Sequence, residues 1–217
     1  MNESFRRLLS AEPEPKEVIR VAKQARALQT YDRVLDAAAH EFARYGYAHT
    51  NLQRIADRIS LTKGALYGHF SNKEELAAAL TDHLTRTARS LLEEARAATT
   101  PAIERLQDLI LRLGKLFETD RRALAALRLQ VEAAQATAGT VPLMEDTHAI
   151  VRGLVGEVQK AGRWDPSLPT SPLTELIMAA FFGVLWNGIE ADGDRPGPSV
   201  AAVWEVLSRA LNTRARP

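Results

Sequence analysis

Residues 50–76 read TNLQRIADRISLTKGALYGHFSNKEEL, and their reading organises the rest of the chain. Asn51 or Thr50 offers an N-cap, a short polar side chain that accepts from the free amides of the next turn. Leu52, Ile55, Ala56 and Ile59 then recur at helical spacing as an apolar stripe, with Arg54, Asp57 and Arg58 off it. Ser60-Leu61-Thr62 breaks the pattern and supplies a second cap in Thr62. One to two helical turns follow, in which Leu66 and Phe70 share a face at i, i+4. That leaves Lys63, Gly64, Tyr67 and His69 toward the open side. Ser71, with Glu74 three residues on, predicts a capping box for the next helix.

A helix, a short turn and a second short helix fit a helix-turn-helix. In that motif the start of the second helix meets base edges while the first crosses the phosphate backbone. The candidate contacts are Thr50, Asn51, Arg54, Thr62, Lys63, Gly64, Ala65, Tyr67, His69 and Lys73. The helix N-termini near 51 and 62 add favourable partial charge for phosphates. An ordinary helical hairpin with polar surface residues is the competing reading. Charge distribution favours the first. Residues 20–73 hold nine Lys or Arg against four acids, a net of +5, and residues 76–217 hold sixteen against seventeen. A basic end on a near-neutral body is the pattern of a protein that touches phosphates with one end.

The residues also carry a resemblance. Thr62-Lys63-Gly64-Ala65-Leu66-Tyr67, His69-Phe70, Asn72-Lys73-Glu74 and Leu76 are similar to the DNA-binding signature of TetR-family transcriptional repressors. Val34-Leu35-Asp36-Ala37-Ala38 and Phe42-Ala43-Arg44-Tyr45-Gly46-Tyr47 resemble that family's first helix and its closing glycine. Thr50 and Ile55-Ala56 match its second helix. The similarity spans about residues 27–87, and Gly68 stands where the family usually carries a bulky residue. It implies an all-α fold with about nine helices. A three-helix DNA-binding domain would occupy residues 26–75 and a helical ligand-binding and dimerisation domain residues 76–217. Residues 1–25 would form a flexible or helical extension.

Composition agrees with helices: 46% of residues are hydrophobic, only 6% are aromatic, and alanine and leucine dominate. The absence of cysteine excludes disulfides, cysteine–zinc sites and thiol catalysis. No glycine-rich phosphate loop, His-Glu-x-x-His or Gly-x-Ser-x-Gly motif is present, and the five histidines show no i, i+4 pair. No enzyme, cofactor or metal site is expected. The N-terminus lacks an apolar core of signal-peptide length, and no apolar run approaches about 18 residues, so a cytoplasmic location is expected.

Along the chain, Lys16, Arg20, Lys23 and Arg26 give a basic face to a possible helical extension, either a solvated surface or an added phosphate contact. A helix is expected over about 29–45, closed by Gly46. A long helix over about 71–97, with Leu76, Leu80, Leu84, Ala88, Leu91 and Ala95 on one stripe, would join head to body. Further helices start near Pro101, at Asp120 or Thr119, and near Met144. A connection with three prolines spans 163–172, and the last two helices span 172–190 and 199–212, separated by a turn at 192–198. The penultimate helix is apolar on more than one face and must be buried on several sides. With the last helix it predicts a two-fold four-helix interface between copies through Ile177, Phe181, Val184, Leu185, Val203, Trp204, Leu207 and Leu211. A wholly intramolecular core is the competing reading.

The resemblance implies a small-molecule effector held in the body and a homodimer released from a palindromic operator. Polar residues within apolar stripes are the candidate ligand contacts: Gln130 foremost, then Thr147, Thr85, Arg89, His148 and Trp186. Leu127-Arg128-Leu129, the proline-containing loop after it and Ala179-Ala180-Phe181-Phe182-Gly183 resemble the γ-butyrolactone receptors of the family. Those receptors carry a Trp early in the helix after the loop, where Thr147 or a neighbour stands in this chain. The alternatives are a pseudo-receptor with a different ligand and a helical interaction module that never touches DNA.

Overall fold

The structure, a computed structural model, describes residues 15–190 and 198–212. The expected extension at 1–14 and most of the turn expected at 192–198 lie outside the described residues. Every regular element among those described is a helix: α1 (Pro15–His49), α2 (Leu52–Arg58), α3 (Lys63–Tyr67), α4 (Lys73–Ala97), α5 (Ala102–Thr119), α6 (Arg121–Thr137), α7 (Pro142–Lys160), α8 (Thr170–Glu190) and α9 (Val200–Asn212). No described helix is long and apolar enough to cross a membrane.

The caps explain where most helices begin. Asn51 accepts from the Gln53 amide and Thr62 from the Ala65 amide, both as expected. The cap of α4 is Asn72, not Ser71; its side chain accepts from the Glu75 amide, and Glu75 reaches back to the Ser71 amide. Both residues suit a cap, and the register of the α3–α4 corner selects the second. α1 starts about fourteen residues before the expected position. Its early turns show no apolar periodicity toward a core, so the pattern carries no signal there.

Gly46 interrupts α1 as expected, but not as a simple stop. Its φ of 69° and ψ of −176° turn the chain through a conformation open essentially to glycine, and one further helical turn runs to His49.

One continuous core runs through the molecule. At the head it contains Val34, Ala38, Phe42, Ile55, Ala56, Leu66 and Phe70, with Tyr31 stacked on Phe70 at 4.8 Å. α4 carries that core into the body on Leu76, Leu80, Leu84, Ala88, Leu92 and Ala95. Leu92 takes the position expected of Leu91. α5 and α7 contribute the next layer, and α9 lies close on α5, where a Cβ on Gly114 would come within 2.6 Å of the Val200 Cβ. Gln159 fixes the proline-containing connection by donating to the carbonyls of Asp165 and Leu168 and accepting from Thr170.

Asp120 joins three helices. It caps α6 by accepting from the Arg122 and Ala123 amides and takes a 2.6 Å hydrogen bond from His83 of α4. Burial works to raise its pKa, but the bonds from His83 and the two amides outweigh it, and the carboxyl sits below its ordinary 3.8. A depressed folded-state pKa means stabilisation that is present above the unfolded value and lost as pH falls through the folded one. Asp120→Ala is expected to cost about 1–2 kcal/mol in urea unfolding at pH 7. The gap from wild type should shrink below about pH 4, and a gap that is constant with pH would contradict the assignment.

Candidate nucleic-acid interface

α2 and α3 are too short to be stable alone and are held by what they pack on. Ile55, Ala56 and Leu66 are fully buried beneath them. Arg33 of α1 donates to the Ile59 carbonyl at the end of α2 at 2.9 Å. Ser60 adopts a left-handed φ of 57° in the turn between them. The outer surface of the pair then forms a concave cleft of about 480 Å³ lined in part by Thr50, Asn51, Arg54, Lys63, Tyr67 and Lys73. Six of the ten expected contacts are thus gathered on one surface. Thr62, Gly64 and Ala65 are exposed beside it on α3, and nothing lies within 4 Å of where a Cβ on Gly64 would be. His69 is only half-exposed, in the α3–α4 corner.

The ten residues do not all offer free groups. Thr50 is 7% exposed, and its hydroxyl donates to the Gly46 carbonyl at 2.6 Å. Arg54 is exposed, as its position off the stripe implied, but its guanidinium is already engaged. It pairs with buried Glu41 at 2.7 Å, donates to the His49 carbonyl and lies 4.4 Å over the Tyr45 ring. Lys73 donates to the Tyr47 carbonyl at 2.8 Å and sits 4.4 Å over the Tyr47 ring. These three brace the corner between α1 and α2. The free groups are Lys63, with no ion pair among the described residues, and Tyr67, 43% exposed beneath its ammonium at 5.8 Å. His49 and Gln53 also line the cleft. Gln53, one turn beyond the expected Thr50, was legible as a polar residue at the start of α2.

The body grips the corner from the other side, an arrangement that sequence alone did not reveal. Arg128 of α6 donates to the carbonyls of Ala43 and Arg44, the free carbonyls at the end of the first part of α1. Glu132 accepts from the Tyr47 amide at 2.7 Å and from Arg128 at 2.9 Å. The Glu132 carboxylate lies where a side chain on Gly46 would be, so the glycine serves both the turn and this contact. Only the i, i+4 spacing of Arg128 and Glu132 hinted at it. Nearby, Tyr47 donates to Glu74 at 2.6 Å; that bond raises the phenol pKa to about 12. Arg122 adds ion pairs to Asp32 and Asp36.

The expected ligand contacts do not converge on one site. Gln130 is half-buried, and its Oε1 is buried with no donor among the described residues. Thr147 is buried but self-satisfied, donating to the Leu143 carbonyl at 2.7 Å. Thr85 and Arg89 are exposed on α4, because the burial stripe passes through Leu84 and Ala88 instead. His148 bonds Glu175 at 2.7 Å in an open cleft of about 510 Å³ between α7 and α8, with Met144, Met178 and Phe182. Trp186 is 37% exposed.

The expected interface residues also divide. Ile177, Phe181, Leu185 and Trp204 are at most 5% exposed within their own chain. Val184, Val203, Leu207 and Leu211 are partly buried. The apolar surface left outward is Leu176, Ala179, Gly183 and Trp186 of α8, with Val206 of α9. A helix apolar all round gives no periodic sign of which face is inward.

Residues 34–80, α1 through the start of α4, match the profile described as bacterial regulatory proteins, tetR family. The DNA-binding head of the chain is thus similar to that of the tetR family of bacterial regulatory proteins. Over 190 residues it is 33% identical to the A-factor receptor protein of Streptomyces griseus, which covers 86% of this chain and 65% of that protein. It is 43% identical to the transcriptional regulator TtgR of Pseudomonas putida over 61 residues, 28% of this chain and 29% of that one. Its fold is similar to that of CprB from Streptomyces coelicolor, a TetR family protein solved with its biological operator sequence. The TM-score there is 0.66 at 26% identity, covering 86% of this chain and 90% of CprB.

Proposed function

We propose that the protein is a transcriptional repressor, not an enzyme, that binds a palindromic operator as a homodimer and is released by a small-molecule effector. The observation that carries this is the cleft over α2 and α3: Lys63 and Tyr67 stand free at its edge while Arg54 and Lys73 rigidify the corner behind them. Similarity to CprB, which was solved on its operator, supports the DNA reading. Similarity to the A-factor receptor supports an effector of butyrolactone type. The outward apolar row of α8 supports a dimer, whose two heads would read half-sites about 34–36 Å apart. A domain limit near residue 75 is supported by the start of the long α4 at Lys73, while residue 26 falls within α1.

Mobility shift with the DNA flanking its own gene tests the reading, with tight, salt-sensitive binding expected. A folded dimer that binds no such DNA at low salt would refute it.

Gln130 is the effector contact with the most support, because its buried acceptor has no donor among the described residues. It lies on α6 between Arg128 and Glu132, so an effector that reorders this stretch would shift the equilibrium between DNA-competent and incompetent heads. Gln130→Leu should keep DNA binding, abolish effector release and leave stability unchanged or higher by about 1 kcal/mol. Release that persists in this variant removes Gln130 from the site.

A further inference from the structure

From Ile19 to Gln29 every residue of α1 is exposed, including Ile19, Val21 and Leu28 at 68%, 58% and 60%. At 1.5 Å per residue this is about 16 Å of helix projecting beyond the head. The first anchors are Tyr31, stacked on Phe70, and Arg33, bonded to the end of α2. A solitary helix of this length is marginal in water, so a binding surface is the natural use for it.

Its chemistry narrows the partner. Residues 18–31 contain Arg20, Lys23 and Arg26 and no acid. None of the three has an ion pair among the described residues. Their line along the helix is also informative. Lys23 lies five whole turns, eighteen residues, before Glu41, which receives Arg54 of α2. Arg20 lies close to three turns before Tyr31, which stacks on Phe70 in the α3–α4 corner. The basic row therefore continues the side of α1 that faces the helix-turn-helix, away from the side that carries Asp32 and Asp36 to α6.

We infer that the first turns of α1 are a second DNA contact, in which Arg20, Lys23 and Arg26 bind backbone phosphates of the duplex beside the groove entered by α3. This rests on the DNA reading above. Such contacts add affinity without sequence information, and each phosphate neutralised steepens the salt dependence.

The test is fluorescence anisotropy of the full chain on a 40-bp duplex of random sequence from low to moderate salt. Arg20→Gln/Lys23→Gln/Arg26→Gln should lower the slope of log K against log salt by about 2–3 per protomer. Its circular dichroism should match wild type. Arg86→Gln/Arg152→Gln/Lys160→Gln, which removes equally exposed charges from the body, should leave the slope unchanged. Equal slopes for the first variant and wild type overturn the inference. A change in its oligomeric state at unchanged slope also overturns it and assigns the projecting helix to protein contact. Wild-type protein that binds no duplex at low salt overturns the DNA reading itself.

Discussion

Lys63→Ala and Tyr67→Ala are each expected to abolish the shift of operator DNA while leaving the melting temperature and the dimer nearly as they were. Both side chains stand outside the core, and neither holds another element in place. Substitutions at such sites change stability by within about 0.5 kcal/mol. Removing one side chain that binds DNA costs about 1–3 kcal/mol, and a symmetric dimer bears that cost twice. Doubled costs of that size remove 1.5 to 4 orders of magnitude in affinity, roughly. Leu66, between them on the same short helix, is the control: it is fully buried. Leu66→Ala should cost about 2–5 kcal/mol of stability, losing DNA by losing the head. If Lys63→Ala or Tyr67→Ala melts like Leu66→Ala, the outer face of α3 belongs to the fold and the proposed interface is wrong.

Gly46→Val should be the most destabilising single substitution in the head. A residue other than glycine at φ 69° and ψ −176° is strained by about 1–3 kcal/mol before any collision is counted. The new Cβ would also fall within 2.2 Å of a Glu132 carboxylate oxygen. Moving that carboxylate withdraws the acceptor from the Tyr47 amide and the partner from Arg128. A buried or part-buried amide left without its acceptor costs a further 1–3 kcal/mol, roughly. Urea unfolding reads the sum. Glu132→Ala separates the parts, since it removes the acceptor and leaves the glycine turn unstrained. A Gly46→Val protein no less stable than Glu132→Ala would show that the backbone strain contributes nothing.

The sequence was most readable where one residue type has one physical job. Asn51 and Thr62 cap as expected because short oxygen-bearing side chains at a break satisfy free amides. Leu66, Phe70 and Leu76, Leu80 and Leu84 of α4 are buried where periodicity placed them. Reading was incomplete where a side chain had two possible partners. Arg54 and Lys73 were expected to face phosphates, yet Glu41 and the Tyr47 carbonyl engage them, and no linear pattern encodes such meetings across 13 and 26 residues. α8 hid its outward face because it is apolar all round. Effector contacts were least legible, since polar residues in apolar stripes are often satisfied locally, as Thr147 is by Leu143.

The corner at Gly46 has a consequence for how such proteins can be rebuilt. Its backbone groups are completed by α6, roughly 85 residues further along, and not by the head's own chain. The DNA-reading end is therefore not an interchangeable part. A chimera joining residues of this head to a foreign body would leave the Ala43 and Arg44 carbonyls and the Tyr47 amide without their partners. Exchange between relatives would keep its function only where the recipient brings a guanidinium and a carboxylate one turn apart to the same place. Specificity for an operator and response to an effector would then be inherited together, as one covalently distant but physically single unit.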